Sequence, residues 1–132
     1  MKVISPRMHG MLDYGTILLF ALAPTLFDLD GTYATVCYIL AAGYLAVTLL
    51  TDFQMGIAHL ISFPMHGWLE LISGLALLAS PFLFDFADDN ETARNFFMAM
   101  GVLFIGTWLL TDWRADTHTQ THGHGTMMSN QH

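Results

Sequence analysis

The stretch ISPRMHGMLDY, residues 4–14, returns at residues 61–71 as ISFPMHGWLEL. At this offset of 57, residues 4–29 align with 61–86 without a gap, and 11 of the 26 pairs are identical, His9 with His66, Gly10 with Gly67, Pro24 with Pro81 and Asp28 with Asp85 among them. Beyond the following loop the offset becomes 60, so that LLTDF at 49–53 meets LLTDW at 109–113. A leucine-rich composition would match leucines, but it would not align a His-Gly pair, a proline, an aspartate and a closing Thr-Asp in order. The chain therefore reads as an internal duplication. Each copy is a helical hairpin that returns to its starting face, so the two copies share a topology and the expected symmetry is a pseudo-two-fold axis along a membrane normal.

A membrane enters the reading through composition. Of 132 residues, 54% are hydrophobic and only 11% charged, outside the range of ordinary soluble domains. The apolar residues fall into four blocks, 11–27, 33–50, 68–86 and 93–110, each near the 17 to 25 residues that cross a bilayer as helix. Four charged residues fall within or at the edge of a block: Asp13, Glu70 and Arg94, and Asp85 at the far end of the third. The expected fold is thus all-α, a four-transmembrane-helix bundle of two tandem hairpin repeats in a lipid bilayer. The first block runs straight into the second with no small-residue cleavage site, which marks a permanent span rather than a leader. Cys37 is the single cysteine; it lies mid-block and reads as a packing residue, with no disulfide framework or thiolate cluster available.

The net charge of −7 is unevenly placed. Asp28, Asp30, Asp85, Asp88, Asp89 and Glu91 follow blocks one and three, whereas Lys2, Arg7 and Arg114 lie on the opposite face. With four spans both termini share a side, and the Lys/Arg excess makes that side cytoplasmic. Ser5 before Pro6, and Ser62 before Pro64, read as N-caps of helices one and three, and Pro24 and Pro81 mark their far ends. Gly15, Gly43, Gly74, Gly101 and Gly106 are candidates for close helix contacts. Trp68, Trp108 and Trp113 read as interfacial anchors near span ends. The divisions are a first hairpin at 1–53, a connector at 54–60 containing His59, a second hairpin at 61–113 and a disordered His-rich tail at 114–132,.

At GLALLASPFLFDF, residues 74–86, and its weaker echo ILLFALAPTLFDL, residues 17–29, the chain resembles the SPW-repeat family of small bacterial membrane proteins. Members carry twice a hairpin with a His-Gly-x-Leu-Asp-Tyr-like start, a Ser-Pro-Trp near the first helix end and a Thr-Asp-Tyr-like second end. HGMLDY, SPF and TDF represent these here, over roughly residues 4–113, with the tail outside. The signature itself departs: Phe82 and Thr25 stand where the family has Trp. The resemblance implies four spans, a duplication and a bacterial inner membrane, and no established activity.

His9 and Asp13, like His66 and Glu70, are four apart, which places each pair on one helix face with the carboxylate about 6 Å deeper. If helices one and three face each other, two imidazoles and two carboxylates converge near the cytoplasmic boundary, ringed by Asp52 and Asp112. Three readings follow. In the first, these groups are polar clamps that brace a structural or accessory protein. In the second, His9 and His66 ligate a divalent metal or a haem, since intramembrane ionisable residues are functional candidates and imidazole with carboxylate suits iron, zinc or manganese. Gly10 and Gly67 would then give a flat macrocycle room. In the third, the same groups relay protons or a solute, with Thr16, Ser73, Thr35 and Thr48 as the remaining polar residues of the spans. The tail's His118, His122 and His124, with His132, Met127 and Met128, suit only weak chelation. The chain shows no nucleophile with a base, no phosphate loop and no nucleic-acid patch, which points away from an enzyme and leaves a homo-oligomer or a larger membrane assembly as partners.

Overall fold

The computed structural model of the chain describes residues 2–115. The tail histidines and Met127 and Met128 lie outside the described residues. Four helices follow one another: α1 (Pro6–Leu26), α2 (Gly31–Leu50), α3 (Phe63–Leu83) and α4 (Glu91–Leu110). The Ser5 side chain accepts a hydrogen bond from the Met8 N–H at 3.2 Å, and Ser62 does the same for Met65 at 3.2 Å. These caps satisfy donors that a helix start leaves orphaned.

The far ends also match. After Pro24, α1 runs on to Phe27, where Asp28 takes a left-handed φ of 53° and the Leu29 N–H reaches back to the Pro24 carbonyl at 3.0 Å. After Pro81, Asp85 takes φ 59° and the Phe86 N–H meets the Pro81 carbonyl at 2.8 Å. Both are Schellman closures, with aspartate in the position usually held by glycine.

Helix α1 packs on α2 and α3 on α4, and the two hairpins are joined at their ends. The Val3 and Ile4 N–H groups bond the Leu110 carbonyl at 2.9 and 3.0 Å, and the Asp112 N–H returns to Ile4 at 2.9 Å. Leu60, Ile61, Leu50 and Asp52 make the equivalent set at 3.0, 2.9 and 2.7 Å. The lead-in to α1 is thus tied to the end of α4, and the lead-in to α3 to the end of α2. The connector folds over α1, where the Tyr14 hydroxyl donates to the Met55 carbonyl at 2.6 Å.

Toward the loop end the bundle interior is aromatic. Phe20 is fully buried and meets Phe96 and Phe104 edge-on at centroid distances of 5.6 and 6.1 Å. Cys37 is buried beside this core, as its mid-block position implied. The outward faces are apolar as well, with Leu18, Ile39, Ile72 and Val102 all exposed. Such a surface suits lipid, and helices satisfy their backbone groups internally as lipid demands. Helices α2, α3 and α4 are long and apolar enough to cross a membrane. Helix α1 has the length but carries Arg7, His9 and Asp13 in its first half and falls short of that composition.

The glycines divide by face. A Cβ at Gly101 would stand 2.7 Å from the Gly74 carbonyl oxygen and 2.7 Å from the Leu78 nitrogen, so α3 and α4 approach backbone to backbone there. Gly15, Gly43 and Gly106 meet nothing within 4 Å and make no such contact, contrary to expectation. Gly101→Ala should therefore cost about 1–3 kcal/mol by overpacking, whereas Gly43→Ala should be neutral or stabilise by up to about 1 kcal/mol through helix propensity. Unfolding in mixed detergent micelles measures both, and equal effects would mean that the α3–α4 contact is looser than described.

Candidate functional site

The start of α1 and the start of α3 bring four ionisable side chains together. His9 Nε2 lies 2.7 Å from Glu70 Oε2 and 3.2 Å from Asp13 Oδ1. His66 Nε2 lies 3.0 Å from Asp13 Oδ2 and 3.8 Å from Glu70 Oε2. Each histidine thus approaches the other helix's carboxylate more closely than its own. One donor atom from each residue fits within a 4.8 Å span. Both histidines are 0% exposed, with Glu70 at 3% and Asp13 at 8%.

Three of these contacts, at 2.7, 3.0 and 3.2 Å, are within hydrogen-bonding distance, but their angles are poor. His9 Nε2, His66 Nε2, Asp13 Oδ2 and Glu70 Oε2 are each buried without a hydrogen bond of acceptable geometry. Buried polar groups are almost always well satisfied, so four ionisable groups that meet only one another, at poor angles, call for a common explanation,.

The other ring nitrogens are firmly placed. His9 Nδ1 is 2.8 Å from Thr111 Oγ1, and His66 Nδ1 is 2.8 Å from Thr51 Oγ1. Each threonine hydroxyl donates its own proton to the preceding turn of its helix, Thr111 to the Thr107 carbonyl and Thr51 to the Val47 carbonyl, both at 2.6 Å. The hydroxyl oxygen is left as acceptor, so Nδ1 carries the proton and donates. In a neutral imidazole this leaves the Nε2 lone pair facing the carboxylates.

An aromatic lid closes the end of the site. Phe63 stacks on Phe53 with centroids 5.5 Å apart and meets Trp113 at 4.6 Å, while Trp113 touches the His9 ring at 4.8 Å. The Trp113 indole N–H donates to the Trp108 carbonyl at 2.9 Å, which fixes it in this lid. On the bundle side a cavity of about 10 Å³, bordered by Asp13, Glu70, Thr16, Tyr44 and Thr107, has room for one water-sized ligand,.

Two expectations are corrected. Asp52 and Asp112 do not ring the cluster: Asp52 pairs with His59 at 2.7 Å among exposed side chains, and Asp112 accepts from the Arg114 N–H at 3.1 Å. The groups that face inward are their neighbours Thr51 and Thr111, both 0% exposed. The space beside Gly10 and Gly67 is also taken. A Cβ at Gly10 would strike Met55 and Phe53, and one at Gly67 would stand 3.0 Å from the Trp113 ring. A flat macrocycle has no room there.

For one metal ion the donor set fits better. Ligands at 2.0–2.2 Å around a tetrahedral ion stand about 3.3–3.6 Å apart, and the histidine–carboxylate separations of 2.7 to 3.8 Å reach that range with side-chain shifts of about half an ångström. Nor do the polar residues of a relay line one path: Thr16 borders the small cavity, whereas Thr35 spends its hydroxyl on the Gly31 carbonyl at 3.1 Å.

No curated protein and no solved structure matches the chain. A family model, described as the SPW repeat domain, matches residues 7–121. The match runs eight residues past Trp113 and so takes in the start of the segment assigned to the tail, His118 included. A match of this extent, over both hairpins and both halves of the buried cluster, makes the chain a member of the SPW repeat family.

Proposed function

We propose that this membrane protein is a four-span bundle made by duplication of one hairpin, and that His9, Asp13, His66 and Glu70 hold one divalent transition-metal ion that ties the two hairpins together. The observation that carries the reading is the convergence of two imidazole and two carboxylate ligand atoms, all buried, within 4.8 Å of one another. Zinc, ferrous iron and manganese all accept two imidazoles and two carboxylates. Charge supports an ion as well. Two carboxylates with two neutral imidazoles leave two buried negative charges, which a divalent ion cancels. We read the role as accessory, an ion that braces the two hairpins, with room beside it for one water-sized ligand.

The remaining parts of this reading concern placement. Helix α1 crosses the bilayer with the other three, its polar first turns shielded by α3, the lid and the connector. The equivalent caps, Schellman closures, end ties and His–Thr bonds support a pseudo-two-fold axis between the hairpins. Lys2, Arg7 and Arg114 favour a cytoplasmic side for both termini, in a bacterial inner membrane.

Metal content decides between an ion and a clamp of ion pairs alone. In full-length protein whose tail histidines His118, His122, His124 and His132 are replaced by alanine, about one equivalent of zinc, iron or manganese is expected, and His66→Ala should remove it. A metal-free, folded protein after growth with each of the three metals would leave the cluster as a clamp of ion pairs. Stripping the ion with a chelator should cost about 4 kcal/mol of stability when the free metal had stood near 1,000 times its Kd.

The threonines give a second prediction. Thr111→Val removes the acceptor that orients His9 and should weaken metal affinity about 10–100-fold, while Thr111→Ser keeps the oxygen and most of the affinity. Competition with a chromogenic chelator reads the difference, and equal affinities in the two variants would show that the hydroxyl does not orient the ring.

A further inference from the structure

At the end of the bundle opposite the histidines, the start of α2 and the end of α3 border a cavity of about 530 Å³. Buried Leu77 and Phe97 lie among its lining residues, with Tyr33, Val36 and Phe86 beside them. This volume lies within the range of small-molecule sites.

The opposite hairpin pair fills the matching space. At the offsets that align the copies, Val36 corresponds to Phe96 and Leu77 to Phe20. Phe96 meets Phe20 at 5.6 Å and Phe27 at 5.4 Å, with Phe20 0% and Phe96 8% exposed. On the cavity side Val36 is 37% exposed. The cavity side is smaller at Val36 and Leu77 but larger at Tyr33 and Phe86, whose counterparts are Ala93 and Leu29, so the two flanks are packed differently and only the Val36 side leaves a cavity of this size.

Charge selects the occupant. Asp30, Asp85 and Asp89 line the cavity, and no lysine, arginine or histidine does. Among the described residues Arg94 is the one base near this end, and it is engaged elsewhere, donating to the Ala87 carbonyl at 3.2 Å and lying 3.9 Å from Glu91. The aromatic lining is continuous, Tyr33 meeting Phe86 at 5.2 Å and Phe86 meeting Phe97 at 5.7 Å. Carboxylates beside aromatic rings attract a cation with an apolar body, through direct charge and through the ring faces. We propose that this cavity binds an amphipathic organic cation, with its ammonium among Asp30, Asp85 and Asp89 and its apolar part against Val36, Leu77 and Phe97.

The proposal shares no residue with the histidine cluster, so the two stand or fall separately. The test uses the full chain in nanodiscs of zwitterionic lipid, titrated with benzyltrimethylammonium and, in parallel, with its uncharged isostere neopentylbenzene. Saturable binding of the cation is expected, with the isostere weaker by about tenfold or more. Val36→Phe copies the filled flank and should abolish binding, with its circular dichroism unchanged. The surface variant Asp89→Asn, which spares the packing, should weaken binding of the cation and leave the isostere unaffected. Equal binding of cation and isostere would mean that the cavity takes up lipid or any apolar solute, and would overturn the proposal. So would unsaturable partition, or binding that survives Val36→Phe.

Discussion

Four ionisable side chains buried side by side between α1 and α3 impose the constraint around which the rest of the molecule is arranged. Unpaired charge inside a membrane protein is expensive, and a helix alone can offer only a partner one turn away. The protein goes further and crosses the pairs, so that His9 approaches Glu70 and His66 approaches Asp13 more closely than their own-helix partners. The crossing requires α1 and α3 to start at the same level. The paired serine caps and the backbone ties at Leu110 and Leu50 set that level. The aromatic lid then keeps water from the end of the cluster, which raises the cost of any uncompensated charge.

The proposed ion resolves an electrostatic problem that hydrogen bonding leaves open. Two protonated imidazoles could also balance the carboxylates, across contacts of 2.7 and 3.0 Å, and metal content is what separates that clamp from an ion. A metal ion sets its own directions, toward the lone pairs. The threonines matter because an imidazole that donates through Nδ1 presents Nε2 as a base. Thr51 and Thr111 can fill this role because a hydroxyl donates to its own helix and accepts from the ring at the same time.

Much of this was legible in the sequence. The repeated MHG with a carboxylate four residues on picked out all four cluster residues, and their convergence followed if helices one and three faced each other. The sequence reading erred by one residue at the second helix ends, choosing Asp52 and Asp112 over Thr51 and Thr111. Both threonines are C-caps with extended backbone, φ −79° and ψ 139° at Thr51 and φ −83° and ψ 139° at Thr111, which sends the following aspartate outward. Charge drew attention to the aspartates, although the threonines repeat just as faithfully. The glycines failed for another reason: spacing along a helix does not say which face meets a neighbour, so Gly74 and Gly101 could not be told from Gly43. The one-sided cavity lay hidden until Val36 and Phe96 were paired at the second offset.

The end ties carry a consequence for how such a chain arises. Neither hairpin closes on itself: the lead-in to α1 finds its partner at the end of α4, and His9 finds its threonine in the other half. A lone ancestral hairpin would have had to complete the ring with a second copy of itself, as a symmetric dimer whose assembly depended on concentration. On the proposed duplication, joining the copies through residues 54–60 would make that encounter intramolecular,. It would also release the two flanks from obligatory identity, because one mutation would no longer appear twice, and a symmetric pair would become free to keep one side sealed while the other acquired a use of its own.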